Sequence, residues 1–212
     1  MKIKICGLRR EEDARYANEV MPDYVGMILT KGYRRSISEE TARKLRAELK
    51  QELPAVGVFV NDPAERIVSL LNEGVIDLAQ LHGQESEENV MFIKASTGKP
   101  VIKALKLGED PQADRFLVEA WLDSAADYLL FDAGKGSGKT FDWTGLRELD
   151  AELGGNWPKD FFLAGGMHPG NLEEAFQALQ PFAVDISSGV ETEGVKDLQK
   201  MQQAVEIVRA LG

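Results

Sequence analysis

The sequence has 212 residues, with 25 basic against 35 acidic side chains and a formal net charge of −10. That balance argues against sequence-independent binding to nucleic acid or to an anionic membrane. The length suits one core that buries roughly 70 % of the unfolded surface, so a single domain over residues 1–212 is expected.

Candidate strands follow one another as "KIKIC" (2–6), "DYVGMIL" (23–29), "PAVGVFV" (54–60), "VIDLAQL" (75–81), "PVIKAL" (100–105), "DYLLFD" (127–132), "FFLAG" (161–165) and "FAVDIS" (182–187). A polar, helix-forming segment comes after each, such as "SEETARKLRAELKQEL" (38–53) and "DPAERIVSLLNEG" (62–74). Ser38, with Glu40 and Thr41 behind it, reads as a helix cap, as does Asn61 or Asp62 ahead of Pro63. Eight strand-then-helix repeats imply a parallel sheet with helical crossovers, the number that closes an α/β (β/α)8 TIM barrel; a doubly wound open sheet is the structural alternative. The lone cysteine, Cys6, precludes an intrachain disulfide and fits a reducing cytoplasm. The start lacks the apolar run of a signal peptide, and no stretch approaches a membrane span.

In a barrel strand alternate residues face the helices and the interior. Ile3 and Ile5 should meet the helices, which turns Lys4 and Cys6 inward, with Cys6 at the C-terminal rim where such barrels keep their active sites. The same parity brings Gln80 and His82, Asp132, and Asp185 to that rim. Singly, a cysteine is a small buried hydrophobe and a strand-ending aspartate a helix cap; jointly, these polar residues mark a site.

Two loops suggest a phosphate site. "LAGGMHPGN" (163–171) puts Gly165 and Gly166 after the seventh strand, and "DISSGVE" (185–191) puts Ser187, Ser188 and Gly189 after the eighth. Loops there hold phosphate through backbone N–H groups, with a helix N-terminus behind. "AGKGSGKT" (133–140) is a near miss for a nucleotide P-loop, since Ala133 stands where the first glycine belongs. With only His82 and His168 there is no clustered Cys/His spacing for a transition metal, no G-x-S-x-G elbow for a serine hydrolase and no dinucleotide fingerprint.

In "KICGL" (4–8), "RRSIS" (34–38), "VGVFVN" (56–61), "QLHG" (80–83), "LLFDA" (129–133), "GSGKTFDW" (136–143), "LAGGMHPGN" (163–171) and "PFAVDISSGVE" (181–191), the chain resembles the phosphoribosylanthranilate isomerases of tryptophan biosynthesis over nearly its whole length. The resemblance implies an Amadori rearrangement of an aminoaldose to an aminoketose without metal or cofactor. Cys6 would be the base, Asp132 the acid, and Arg35 of the "RRSIS" string the partner of the anthranilate carboxylate, with Arg34 beside it leaving the register open. The phosphate would fall to Gly165, Gly166, Ser187, Ser188 and Gly189, with His82 and Asp185 in support.

Those roles set electrostatic expectations. Lys4 should favour the Cys6 thiolate near neutral pH. Asp132 should hold a proton, through partial desolvation or a nearby carboxylate such as Asp185. The glycine-rich run becomes a lid after strand six. The chain departs from the family pattern near "ILTKG" (28–32), where an aromatic is more usual, at His168 for Asn, and at Ala133 for Thr. Because it ends soon after the eighth helix, an isolated enzyme rather than a fusion is expected. It would be cytoplasmic, a monomer or homodimer, with a small phosphosugar-anthranilate substrate as partner. A non-catalytic phosphosugar-binding barrel and, less in keeping with the loops, a nucleotide-binding protein are the alternatives.

Overall fold

The computed structural model describes residues 1–108, 110–132 and 143–212. The run from Ala133 to Asp142, with the lid and the P-loop-like Lys139, lies outside the described residues.

Eight parallel strands close into a barrel in chain order. They are β1 (Lys2–Cys6), β2 (Tyr24–Ile28), β3 (Ala55–Phe59), β4 (Leu78–Leu81), β5 (Val101–Lys106), β6 (Tyr128–Asp132), β7 (Phe161–Ala164) and β8 (Ala183–Ile186). The helices that follow them are α1 (Glu11–Val20), α2 (Glu39–Glu48), α3 (Ala64–Asn72), α4 (Glu87–Thr97), α5 (Pro111–Leu122), α6 (Thr144–Glu152), α7 (Leu172–Leu179) and α8 (Leu198–Leu211). Each expected strand is present, with its ends within one residue of the expected ones. The exception is the fourth, which starts at Leu78 because Val75 and Ile76 are buried in the preceding turn.

Period two sorts the strand residues into two cores. Ile3, Ile5, Val25, Leu105, Leu129, Phe131 and Leu163 pack outward against the helices. Tyr24, Val56, Leu78, Ile102, Leu130, Phe162 and Ala183 fill the barrel itself. The N-terminal end is floored by aromatic rings. Tyr24 and Tyr128 meet Phe162 edge-on at 5.6 and 5.7 Å, and Phe182 stacks on Tyr128 at 5.4 Å. Full burial of a large apolar side chain such as Phe162 stabilises the fold by about 1.5–3 kcal/mol, and the partly buried Tyr128 and Phe182 contribute less. Apolar filling at the floor leaves the polar inward residues to the opposite rim.

Ser38 caps α2 as its sequence suggests, its hydroxyl accepting from the Thr41 N–H at 3.1 Å. The cap expected at α3 does not form. Asp62 instead pairs with Arg66 at 2.5 Å, Asn61 accepts from the Gln84 N–H at 2.7 Å, and Pro63 starts the helix without a side-chain cap. An antiparallel ribbon of β9 (Glu191–Thr192) and β10 (Val195–Lys196) is inserted between β8 and α8. Its turn residues, Glu193 and Gly194, both have left-handed φ, 51° and 79°, the geometry of a tight two-residue hairpin.

On the outer face of the barrel, Lys103 of β5 and Glu85 form an ion pair at 2.8 Å, each side chain only 4 % exposed. Glu85 also accepts from the N–H groups of Asn61 and Gly83, and Lys103 donates to the Gly83 carbonyl, so the pair ties the loops after β3 and β4 together. Burial works against the Glu85 carboxylate, but Lys103 and the Asn61 N–H outweigh it and hold its pKa below the usual value. Glu85→Ala strands a buried ammonium and is expected to lower unfolding stability in urea by about 3–5 kcal/mol. Lys103→Ala added to it should cost less than the sum of the single changes; additive losses would contradict the pairing.

Candidate active site

The rim opens above the inward residues of β1 and β8, which meet where the barrel closes. Lys4 lies opposite Asp185 in register, and its ammonium donates to Asp185 Oδ2 at 2.8 Å with no exposure at all. Burial disfavours the Lys4 charge, yet Asp185 and Cys6 more than compensate, and its pKa lies above the ordinary value. Cys6 is one inward step nearer the rim, at the last position of β1 and 6 % exposed. Gly26, its partner on β2, leaves it room: a Cβ there would lie 2.7 Å from the sulfur.

Lys4 is one of two opposed influences on the Cys6 thiol. Burial pushes the Cys6 thiol up, Lys4 and Lys196 pull it back only in part, and the net displacement is upward. Lys4 favours the thiolate as foreseen, but desolvation is the larger effect.

Asp132 closes β6, and His82 follows directly on β4. His82 Nε2 and Asp132 Oδ2 are 2.9 Å apart, and Gln80 Nε2 is 3.0 Å from His82 Nδ1. An amide nitrogen can only donate, so Nδ1 accepts, Nε2 carries the imidazole hydrogen, and that hydrogen is given to Asp132. Asp132 is partly desolvated, 21 % exposed, as expected. The neighbour foreseen for it is replaced, however: Asp185 sits two strands away in the barrel order and is bound to Lys4.

Arg35, in the loop between β2 and α2, reaches back over the end of β1. Gly7 has φ 86°, and a Cβ there would meet Arg35 Cδ at 2.6 Å and Ser187 Oγ at 3.2 Å, so arginine, serine and the end of β1 converge. Arg34, 63 % exposed, lies on the solvent side of Arg35, which is 17 % exposed. Both arginines bind Glu191, a residue for which the strand pattern carried no signal; Glu-Gly in "ETEGVK" marked the hairpin that delivers it.

Gly165 and Gly166 follow β7 with φ 89° and 72°, a left-handed pair that only glycine adopts without strain. Gly189 packs so tightly on the Met167 carbonyl and His168 that no Cβ fits, which presses the loops after β7 and β8 together. Ser188 and Gly189 form one 3-10 turn with Val190. The helix N-terminus expected behind them is not α8, whose first amides, of Gln199 and Lys200, are already taken by Asp197. Ser187 Oγ, Asp185 Oδ1 and Gln80 Oε1 are buried with no hydrogen-bond partner among the described residues. Buried polar atoms are normally paired, so unpaired ones gathered at one rim are suited to meeting a polar ligand. Among the described residues, no group of three or more His, Cys, Asp or Glu is arranged for a metal, and no helix is long and apolar enough to cross a membrane.

The raised thiol has a measurable consequence. Alkylation of Cys6 in the ligand-free protein should accelerate with pH around a midpoint above the ordinary cysteine value of about 8.5. In Lys4→Met that midpoint should move higher still. A midpoint at or below the ordinary value, unchanged in Lys4→Met, would contradict the reading.

Comparison with known proteins identifies the family. The family model described as N-(5'phosphoribosyl)anthranilate (PRA) isomerase matches residues 3–207. The N-(5'-phosphoribosyl)anthranilate isomerase of Endomicrobium trichonymphae is 43 % identical over 215 residues, covering 99 % of this chain and 99 % of its own. The crystal structure of phosphoribosyl anthranilate isomerase from Thermus thermophilus superposes with TM-score 0.82 at 35 % identity, covering 100 % of both chains. A phosphoribosyl anthranilate isomerase in complex with reduced 1-(o-carboxyphenylamino)-1-deoxyribulose 5-phosphate matches with TM-score 0.83 at 31 % identity, covering 99 % of both chains. With a full-length match to the family and a barrel of the same form, the chain belongs to the N-(5'-phosphoribosyl)anthranilate isomerase family.

Proposed function

We propose that this protein is an isomerase that converts N-(5'-phosphoribosyl)anthranilate to 1-(2-carboxyphenylamino)-1-deoxyribulose 5-phosphate, a step of tryptophan biosynthesis, by general acid and base catalysis. The observation that carries the reading is the pair of inward groups at separate strand ends of one rim, Cys6 on β1 and Asp132 on β6, within a chain that belongs to the family.

In the first step the Asp132 carboxyl gives its proton to the ring oxygen as the bond from that oxygen to C1 breaks. The anthranilate nitrogen lone pair forms the C1=N bond, and the hydrogen on His82 Nε2 stabilises the carboxylate left on Asp132. In the second, the Cys6 thiolate takes the proton from C2; the electrons of that bond form C1=C2, and those of the C1=N bond return to nitrogen. The resulting enol then becomes the ketone, its oxygen losing a proton and C1 gaining one. The cationic imine nitrogen acidifies C2, and Lys4 and Lys196 favour the thiolate, which reduces the cost that burial places on it.

The substrate's aromatic carboxylate goes to Arg35, whose planar guanidinium can grip it through two parallel hydrogen bonds. Its convergence with Ser187 at the end of β1 supports Arg35 over the outlying Arg34. The phosphate goes to the glycine-rich loops, through Gly165, Gly166, Ser188 and Gly189, with the Ser187 hydroxyl an available partner. Asp185 holds Lys4 in place beneath the thiol and offers its second oxygen toward the rim.

Loss of anthranilate-type substrate fluorescence should report turnover by the wild type, with the substrate formed in place from anthranilate and phosphoribosyl pyrophosphate. Cys6→Ser and Asp132→Asn should each lower kcat by about 10²–10⁴-fold while the melting temperature stays near that of the wild type. A folded wild type without turnover, or variants that keep it, would overturn the assignment.

A further inference from the structure

Glu191, on the inserted ribbon, is held by three cationic side chains, Arg34, Arg35 and Lys196. Its side chain is 5 % exposed. Its Oε1 accepts from Arg35 Nε at 2.6 Å and from Lys196 Nζ at 3.0 Å, and its Oε2 accepts from Arg35 Nη2 at 2.8 Å and Arg34 Nη2 at 2.7 Å. Burial alone would raise its pKa, but Arg35 and Lys196 outweigh burial and bring it to about 2. The carboxylate is therefore charged throughout the physiological range.

The geometry of the guanidinium gives this contact a use. A planar guanidinium offers two bidentate edges, one made by Nε and Nη2, the other by Nη1 and the second hydrogen of Nη2. Glu191 occupies the first edge. The second is left to another carboxylate, and Nη1 has no hydrogen-bond partner among the described residues. Lys196, 3 % exposed, bridges Glu191 to the Ser187 carbonyl at 2.8 Å, so the same carboxylate is tied to the loop that follows β8. The ribbon is in turn fixed to the start of α1 by Arg9, which donates to the Gly194 carbonyl, and by Arg10, which donates to the Lys196 carbonyl at 3.3 Å.

We propose that Glu191 is a positioning residue: it holds the Nε edge of Arg35 so that the opposite edge faces the aromatic carboxylate of the substrate, and through Lys196 it sets the distance of that grip from the Ser187 loop. This rests on the reading of Arg35 as the carboxylate's partner. Glu191 touches neither reacting carbon, and its effect falls on carboxylate recognition rather than on proton transfer.

The test uses two probes, reduced 1-(o-carboxyphenylamino)-1-deoxyribulose 5-phosphate and the same compound without the carboxyl group, with wild type, Glu191→Gln, Glu191→Asp, Arg35→Met and the Arg35→Met/Glu191→Gln double variant. Glu191→Gln should weaken binding of the carboxylated probe by about tenfold or more, and raise KM more than it lowers kcat. Binding of the second probe should change by less than about twofold, which also reports that the site is folded. Glu191→Asp should recover part of the loss, and in the Arg35→Met background Glu191→Gln should add nothing. Equal weakening of both probes, or no weakening of the first, overturns the proposal. Arg35→Met that still prefers the carboxylated probe overturns the reading of Arg35 itself, whereas Arg35→Met that loses the preference while Glu191→Gln keeps it overturns only the role of Glu191.

Discussion

The ion pair of Lys4 and Asp185, buried where the first and last strands of the barrel meet, is the constraint on which the catalytic half of the molecule depends. An unpaired ion at such depth would cost on the order of several kcal/mol, so neither charge is tolerable there without the other. Their pairing permits a polar layer to lie above the aromatic floor, and period two then places Cys6 directly over it. The electrostatics of the thiol follow from that layer: an ammonium below favours the thiolate, and the dry surroundings that make the ion pair necessary oppose it. The resting balance goes to burial.

In the proposed mechanism two parts of the rim treat the proton differently. Around Cys6 of β1, the cations Lys4 of β1, Lys196 of β10 and Arg35 of the loop after β2 surround the group proposed to lose a proton. Around Asp132 of β6, Gln80 of β4 and His82 just after it direct one hydrogen toward the carboxyl group proposed as the acid. The sugar would span the space between them, held at one end by an arginine and at the other by glycine-rich turns. Closure of the barrel supplies the fixed separation that such a division needs, because neither part can shift without breaking the strand register.

The barrel and the inward-facing residues were legible in the sequence because strand parity is a local property: one Ile-x-Ile alternation suffices to turn Lys4 and Cys6 inward, and one strand-ending aspartate suffices for the rim. Groups whose roles depend on distant partners were not. Asp62 looked like a helix cap and is drawn off by Arg66, four residues along the same stretch, while Asn61 is drawn to the loop after β4. The N-terminus of α8, the helix expected behind the phosphate loops, is already capped by Asp197. Glu191 and Lys196 look like ordinary surface charges until the hairpin folds them beneath Arg35. The direction of the Cys6 shift is beyond the local pattern for a related reason: a neighbouring lysine can be read from the strand, but the depth of burial that outweighs it belongs to the whole barrel.

The most direct test of a base and an acid working from separate sides of the rim is a crystal structure of this protein with reduced 1-(o-carboxyphenylamino)-1-deoxyribulose 5-phosphate bound. Cys6 Sγ is expected about 3.5 Å from C2 on one side of the sugar chain, with the Asp132 carboxylate against the C4 hydroxyl, the former ring oxygen, on the other. Both groups on one side, or a ligand whose C2 faces neither, would contradict it.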